Sequence, residues 1–125
     1  MNRLGVIKVS HEMMDNIELL TPWKESLDFE KVKEIIAKSP YKIDGFVFLS
    51  TCNRVEIIYK IHNSVEHLRF YEYMLGKLPS IAIHPEHITG RPVITHLLKL
   101  CSGLESMVLG ETEIRYQVKE ALKKS

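Results

Sequence analysis

The stretch FLSTCNRVEII, Phe48 to Ile58, sets a thiol among polar neighbours between two apolar runs. Cys52 follows Ser50 and Thr51 and precedes Asn53 and Arg54. Free cysteine is among the most buried residue types, so core packing is one reading of it. Nucleophilic chemistry is the other. The cysteine falls at a connection between two strand-like runs, where functional residues collect on a rigid base. On an extended backbone Arg54, two residues on, projects from the same face. A guanidinium so placed favours the thiolate, the form of the thiol that attacks carbonyls. His96 lies on a helical stripe with Val93 and Leu100, a position held more often by a hydrogen-bonded core histidine than by a catalyst.

Farther along, SGLESMVLGETEIRYQVKEAL interrupts Leu104, Met107, Val108 and Leu109 with Ser102, Gly103, Ser106 and Gly110, so the backbone must turn repeatedly. Glu111 opens the helix that follows, where a carboxylate suits the positive helix end, and Gln117 falls on roughly the same side. This segment reads either as a glycine-mediated helix–helix turn or as a recognition wall of hydroxyls, a carboxylate and an amide. His11, His62, His67, His84 and His87 scatter through loops and helix surfaces. Pro85 breaks the helix that would align His84 with His87, so no metal site is expected. Cys101 belongs to an apolar helical stripe and is expected in the core.

The elements that must position these residues follow from periodicity. Leu4 to Val9 reads as a strand, and Thr21-Pro22 as a helix start, the threonine capping and the proline at the first helical position. Leu27, Val32, Ile35 and Ile36 mark an amphipathic helix over Leu27 to Ser39. Phe46 to Leu49 and Arg54 to Ile61 are strands, antiparallel because so few residues join them, with Val55, Ile57 and Tyr59 on one face. A helix over Ser64 to Leu78 carries Val65, Leu68, Tyr71 and Leu75 and stops near Gly76 and Pro79. A short strand falls within Ile81 to Thr89. The order βαββαβ predicts an α+β fold, a ferredoxin-like split βαβ sheet with helices on one face. Additional C-terminal helices follow at Pro92 to Cys101 and Glu111 to Lys124, the last expected to be the start of a long connecting helix in a longer protein.

Composition narrows the function classes. At 125 residues, with 45% hydrophobic and 26% charged, the chain is a soluble globular domain rather than a disordered segment. A net charge of +1 provides no global field for a polyanion. No apolar run reaches the ~20 residues that span a bilayer, and the N-terminus lacks the apolar core of a signal peptide. Two cysteines make no disulfide framework, and a reducing cytoplasm is expected. A non-catalytic RNA-binding module would use Phe46 and Phe48 as a base platform, although no K/R-G-F-x-F signature accompanies them.

Two separate stretches, LSTCNRVEIIY and HLLKLCSGLESMVLGETEIRYQVKEAL, resemble the signature segments of the N-terminal catalytic domain of glutamyl-tRNA reductase. The resemblance covers essentially the whole chain, 1–125. It implies reduction of glutamyl-tRNA to glutamate-1-semialdehyde with NADPH, the first step of tetrapyrrole biosynthesis, through a cysteine thioester. Cys52 would be the nucleophile and His96 would lie near the reacting centre. Thr51, Asn53 and Arg54 would line the glutamyl pocket, Arg54 forking onto the substrate side-chain carboxylate. Ser106, Glu111 and Gln117 would complete it, Glu111 facing the α-ammonium, with Thr112 and Glu113 as further candidates. The chain departs from the family's usual pattern at Thr112-Glu113, where proline and glutamine are common, and at Arg115-Tyr116. It departs again in SHEMMDN, where SHKTAP is usual, and the altered ETE leaves an inactive paralogue as an alternative. No G-x-G-x-x-G fingerprint occurs, so NADPH is expected to bind a domain missing from this chain. The expected partners are glutamyl-tRNA, a second copy through a missing C-terminal dimerisation domain, and the downstream semialdehyde aminotransferase.

Overall fold

The computed structural model describes residues 2–10, 20–51, 54–81 and 84–104. In chain order these form β1 (Leu4–Ser10), α1 (Thr21–Ser26), α2 (Phe29–Ala37), β2 (Ile43–Ser50) and β3 (Arg54–Ile61). A 3-10 turn at Ser64–Glu66 leads into α3 (His67–Lys77), followed by β4 (Glu86–Thr89) and α4 (Arg91–Leu104). The strands make one sheet in the order β2-β3-β1-β4, antiparallel at every junction. No helix among the described residues is long and apolar enough to cross a membrane.

Alternation along the central strands divides the side chains between two cores. Ile7, Val9, Val55, Ile57, Tyr59 and Ile61 face one way and pack with Trp23 of α1, Val32 and Ile35 of α2, and Phe70 and Met74 of α3. Leu4, Val6, Val47, Leu49 and Ile58 face the other way, onto Val93, Leu97 and Leu100 of α4. The sheet therefore lies between α1–α3 on one side and α4 on the other. A strand covered on both faces can carry apolar residues almost continuously, as β3 does.

Strand β3 has the expected bounds, whereas β2 extends from Ile43, with a register shift between Ile43 and Gly45. The threonine of Thr21-Pro22 is not a cap. Leu20 holds the cap position without a side-chain bond, and Thr21 is already helical. The capping chemistry falls one helix later, where the Asp28 carboxylate accepts the Lys31 N–H at 2.7 Å.

In α3 the apolar stripe differs from the one the spacing predicts. Phe70, Tyr71 and Met74 are buried, while Val65 and Leu68 are 82% and 61% exposed. Two stripes compete on this helix, and the Tyr59 ring selects between them by packing on Phe70 with centroids 4.7 Å apart. The helix also runs through Gly76 to Lys77. Phe46 stacks on Phe29 at 5.1 Å, and Phe46 and Phe48 are both partly buried against the helix-covered core.

Tyr59 organises the end of the sheet near the N-terminus. Its hydroxyl lies 2.8 Å from His67 Nδ1 and 2.7 Å from His87 Nε2, and His67 Nε2 lies 2.6 Å from the Asn2 carbonyl. A carbonyl only accepts, so His67 carries its proton on Nε2 and takes the Tyr59 O–H on Nδ1. Tyr59 in turn accepts the His87 Nε2–H. These histidines, expected to scatter over the surface, converge instead. Gly5 makes room for the ring, since a Cβ there would sit 2.2 Å from it. Burial pushes the Tyr59 hydroxyl pKa well up. Burial first, and then the nearby His67, lower the His87 pKa from 6.5 to about 4.

A neutral imidazole with a depressed pKa links folding to pH. Between pH 6.5 and about 4 the unfolded chain binds a proton at His87 that the folded chain refuses. Stability should therefore fall as the pH is lowered through that window, by up to ~1.4 kcal/mol per pH unit, and this contribution should level off below it. Urea unfolding midpoints across the window test this. His87→Gln, which retains an N–H toward Tyr59, should flatten the slope.

Candidate active site

The closed end of the β2–β3 hairpin is the part of the sheet where polar side chains gather under α4. Thr51 donates its N–H to the Arg54 carbonyl at 2.9 Å, tying the strands together on either side of residues 52 and 53. Ser50 pairs with Val55 and Leu49 with Glu56, so the hairpin register is set up to its last pair. Arg54 and Glu56 share the face of β3 that α4 covers.

Glu56 is fully buried. A carboxylate taken out of water needs partners for both oxygens, or it costs several kcal/mol. Arg54 Nη1 donates to Oε2 at 3.2 Å, and His96 Nε2 donates to Oε1 at 2.6 Å. The His96 bond therefore sets the proton on Nε2, which leaves Nδ1 as the acceptor of the neutral ring. Across the sheet Lys8 stands opposite Glu56 and reaches Glu86 Oε2 at 3.7 Å. The Lys8, Arg54 and His96 side chains are 12%, 20% and 13% exposed, so the network borders solvent without being bathed in it.

His96 reaches this network because α4 starts at a sharp turn. Gly90 has φ +75, a left-handed value that favours glycine, and it links β4 to the helix. Val93, Leu97 and Leu100 then seat the helix on the sheet, and His96 falls beside that stripe, above β3.

Of the residues that sequence reasoning singled out, Thr51, Arg54 and His96 are described, and the structure joins Arg54 to His96 through Glu56. Cys52, Asn53, Ser106, Glu111, Thr112, Glu113 and Gln117 lie outside the described residues, as does the helix expected over Glu111 to Lys124. Sequence reasoning passed over Glu56, Lys8 and Ser10. The missed signal was a lone carboxylate at Glu56 inside the apolar run VEIIY, because a charge within a doubly covered strand must have a partner. One arm of the Arg54 fork is already engaged by the chain's own carboxylate. Among the described residues, no group of three or more histidine, cysteine, aspartate or glutamate side chains is arranged to hold a metal ion.

Replacing Glu56 by glutamine keeps the shape but removes the charge and one acceptor, so Arg54 loses its counter-ion and His96 must either lose its partner or move its proton to Nδ1. The expected cost is about 3 kcal/mol, near the low end for a broken buried pair because Arg54 retains access to water. A lowered urea midpoint with an unchanged m value would show it. An unchanged midpoint would mean that the carboxylate does not hold α4 to the hairpin.

Comparison with known proteins gives this geometry a context. Residues 8–125 match the family model described as glutamyl-tRNAGlu reductase, N-terminal domain. The glutamyl-tRNA reductase of Nitratiruptor sp. is 32% identical over 131 aligned residues, covering 96% of this chain and 29% of that protein. The enzyme of Chlamydia abortus is 34% identical over 119 residues, covering 94% of this chain and 34% of that protein. The chain thus spans about a third or less of the length of these relatives. A solved structure of glutamyl-tRNA reductase from Methanopyrus kandleri superposes with a TM-score of 0.63 at 27% identity, over 98% of this chain and 28% of that one. With nearly all of its length matched by the model of one domain, the chain belongs to the glutamyl-tRNA reductase N-terminal domain family.

Proposed function

We propose that this chain is the acyl-transfer domain of a glutamyl-tRNA reductase, an oxidoreductase of tetrapyrrole biosynthesis, built on a ferredoxin-like split βαβ sheet. The observation that carries the reading is the buried Arg54–Glu56–His96 network beside the hairpin end that contains Cys52. The family membership supplies the substrate class, glutamyl-tRNA.

In this reading Cys52, as its thiolate, attacks the carbonyl carbon of the glutamyl ester. The carbon–oxygen bond to the terminal ribose breaks, the ribose oxygen takes up a proton, and a thioester remains on sulfur. The proton lost by the thiol balances the one gained by the leaving tRNA. His96, with Nε2 held by Glu56, offers Nδ1 for that transfer. The arms of Arg54 not bound to Glu56 receive the substrate side-chain carboxylate. Glu56 thus acts on the chemistry through its two neighbours, fixing where the guanidinium and the imidazole stand. Asn53, Ser106, Glu111, Thr112, Glu113 and Gln117 remain assigned to the glutamyl pocket on the resemblance alone.

The described residues do not suit NADPH. No two neighbouring strands of the sheet run parallel, so it lacks the adjacent-strand βαβ unit that receives a pyrophosphate at a helix N-terminus. We therefore place the NADPH site, and with it the reduction step, outside these residues. The same applies to dimerisation and to docking of a semialdehyde aminotransferase.

In the full-length protein, Cys52→Ser should abolish NADPH-dependent semialdehyde formation, assayed with glutamyl-tRNA. Retained reductase activity would overturn the thioester route. Arg54→Lys substitutes a point charge for a fork already half engaged by Glu56, so it should raise KM for glutamyl-tRNA by about 10-fold or more while Cys52 remains open to alkylation. If the lysine variant selects glutamyl-tRNA as well as the parent, Arg54 is not the carboxylate clamp.

A further inference from the structure

Ser10 ends β1, is 1% exposed, and has an Oγ with no hydrogen-bond partner among the described residues. A buried hydroxyl left unpaired is unfavourable, and native folds retain few of them without a use. A serine serving the fold bonds to nearby backbone, as Ser39 does by accepting the Tyr41 N–H at 3.0 Å. Ser10 makes no such bond.

Its location suggests a use. Ser10 stands directly opposite Arg54 in the β1–β3 register, and the next pair on the same face is Lys8 with Glu56. Side chains directly opposed across antiparallel strands lie roughly 5 Å apart at Cβ, so the Ser10 and Arg54 side chains are neighbours on one face of the sheet. Arg54 gives one nitrogen to Glu56, which leaves the rest of its fork unengaged among the described residues. An anion that fills the rest of the fork has further lone pairs, and the hydroxyl is a neutral donor placed to meet one of them. A carboxylate accepts both donors at once. A carboxamide can turn its oxygen to the guanidinium and its N–H₂ to the hydroxyl oxygen, but both bonds then lose the charge-assisted strength that a carboxylate gives them.

Resting on the proposed acyl-transfer function, we propose that Ser10 is a specificity-determining residue of the glutamyl pocket. Its hydroxyl hydrogen-bonds the substrate side-chain carboxylate beside Arg54. The apo fold tolerates the unpaired oxygen because substrate satisfies it. The preference for a glutamyl over a glutaminyl ester then depends on Ser10 as well as on Arg54.

The test uses the full-length protein and its Ser10→Ala variant, assayed for kcat and KM with glutamyl-tRNA and with glutaminyl-tRNA. The variant should raise KM for glutamyl-tRNA by about 10- to 100-fold, the worth of one hydrogen bond to a charged group, with kcat little changed. Discrimination against glutaminyl-tRNA should narrow by a smaller factor, since the variant also loses the weaker neutral bond to a carboxamide. The thermal midpoint should stay level or rise, since an unpaired buried hydroxyl is removed, and the alkylation rate of Cys52 without substrate should not change. Ser10→Thr, which retains the hydroxyl, should recover part of the KM. An unaltered KM overturns the assignment. So does a fall in thermal midpoint that accompanies the KM change, which would show a structural serine, or a slowed alkylation, which would show that the hydroxyl acts on the thiol. A parent protein that forms no thioester from glutamyl-tRNA overturns the acyl-transfer reading, and this inference with it. A parent that is active beside an unaffected Ser10→Ala variant overturns only the inference.

Discussion

A fully buried carboxylate is the constraint on which this architecture turns. Glu56 lies in a central strand, covered by α4 on its own face, and both of its oxygens must be answered from within the chain. One partner is local, Arg54 two residues back on the same face. The other comes from forty residues later in the chain, His96 on α4. Satisfying the charge therefore joins the hairpin end to the last described helix. The apolar contacts of Val93, Leu97 and Leu100 hold that helix against the sheet. The carboxylate then sets the position at which it comes to rest, since a shift of one helical residue would remove the imidazole. Hydrophobic contact is non-directional, whereas a charge-assisted hydrogen bond of 2.6 Å is not.

The two faces of β3 divide the work. Val55, Ile57, Tyr59 and Ile61 build the larger core with α1–α3, while Arg54 and Glu56 turn toward α4 and build the polar site. Tyr59 anchors the core face at the far end of the strand, through a relay of proton positions that runs from His87 through Tyr59 to His67 and the Asn2 backbone. Gly5 is required opposite it because no side chain fits under the ring. A strand anchored at one end by Tyr59 and at the other by Glu56 has little freedom to slip, and slippage by one residue would exchange core and site. This stiffness suits a hairpin whose closed end borders the Arg54–Glu56–His96 network.

Much of the fold was legible because periodicity reports burial directly. The bounds of β3, the amphipathic α2 and the position of β4 within Ile81 to Thr89 all follow from which residues are apolar and how they repeat. The stripe of α3 did not follow, because that helix carries two apolar lines and the choice between them belongs to Tyr59, a residue on another element. The cap at Thr21 failed for a related reason. Threonine before proline is consistent with either a cap or a first helical residue, and the structure places the cap one residue earlier, at Leu20, so that Thr21 opens the helix. In the site, Thr51, Arg54 and His96 were legible from residue type and motif. Glu56, Lys8 and Ser10 were not, since a glutamate, a lysine and a serine are ordinary in a sequence until their burial is known.

By itself the sequence determined the family and most of the order of the described elements, and it singled out the residue types proposed to bear the chemistry. Those are properties of local pattern and motif, and they survive in one dimension. Only the tertiary structure decided that Arg54 and His96 meet on one carboxylate, that Ser10 lies opposite Arg54, and that two distant histidines share one tyrosine hydroxyl. Each of those is a pairing between residues far apart in the chain. No spacing rule encodes it, because it arises from strand register and from where a helix comes to rest.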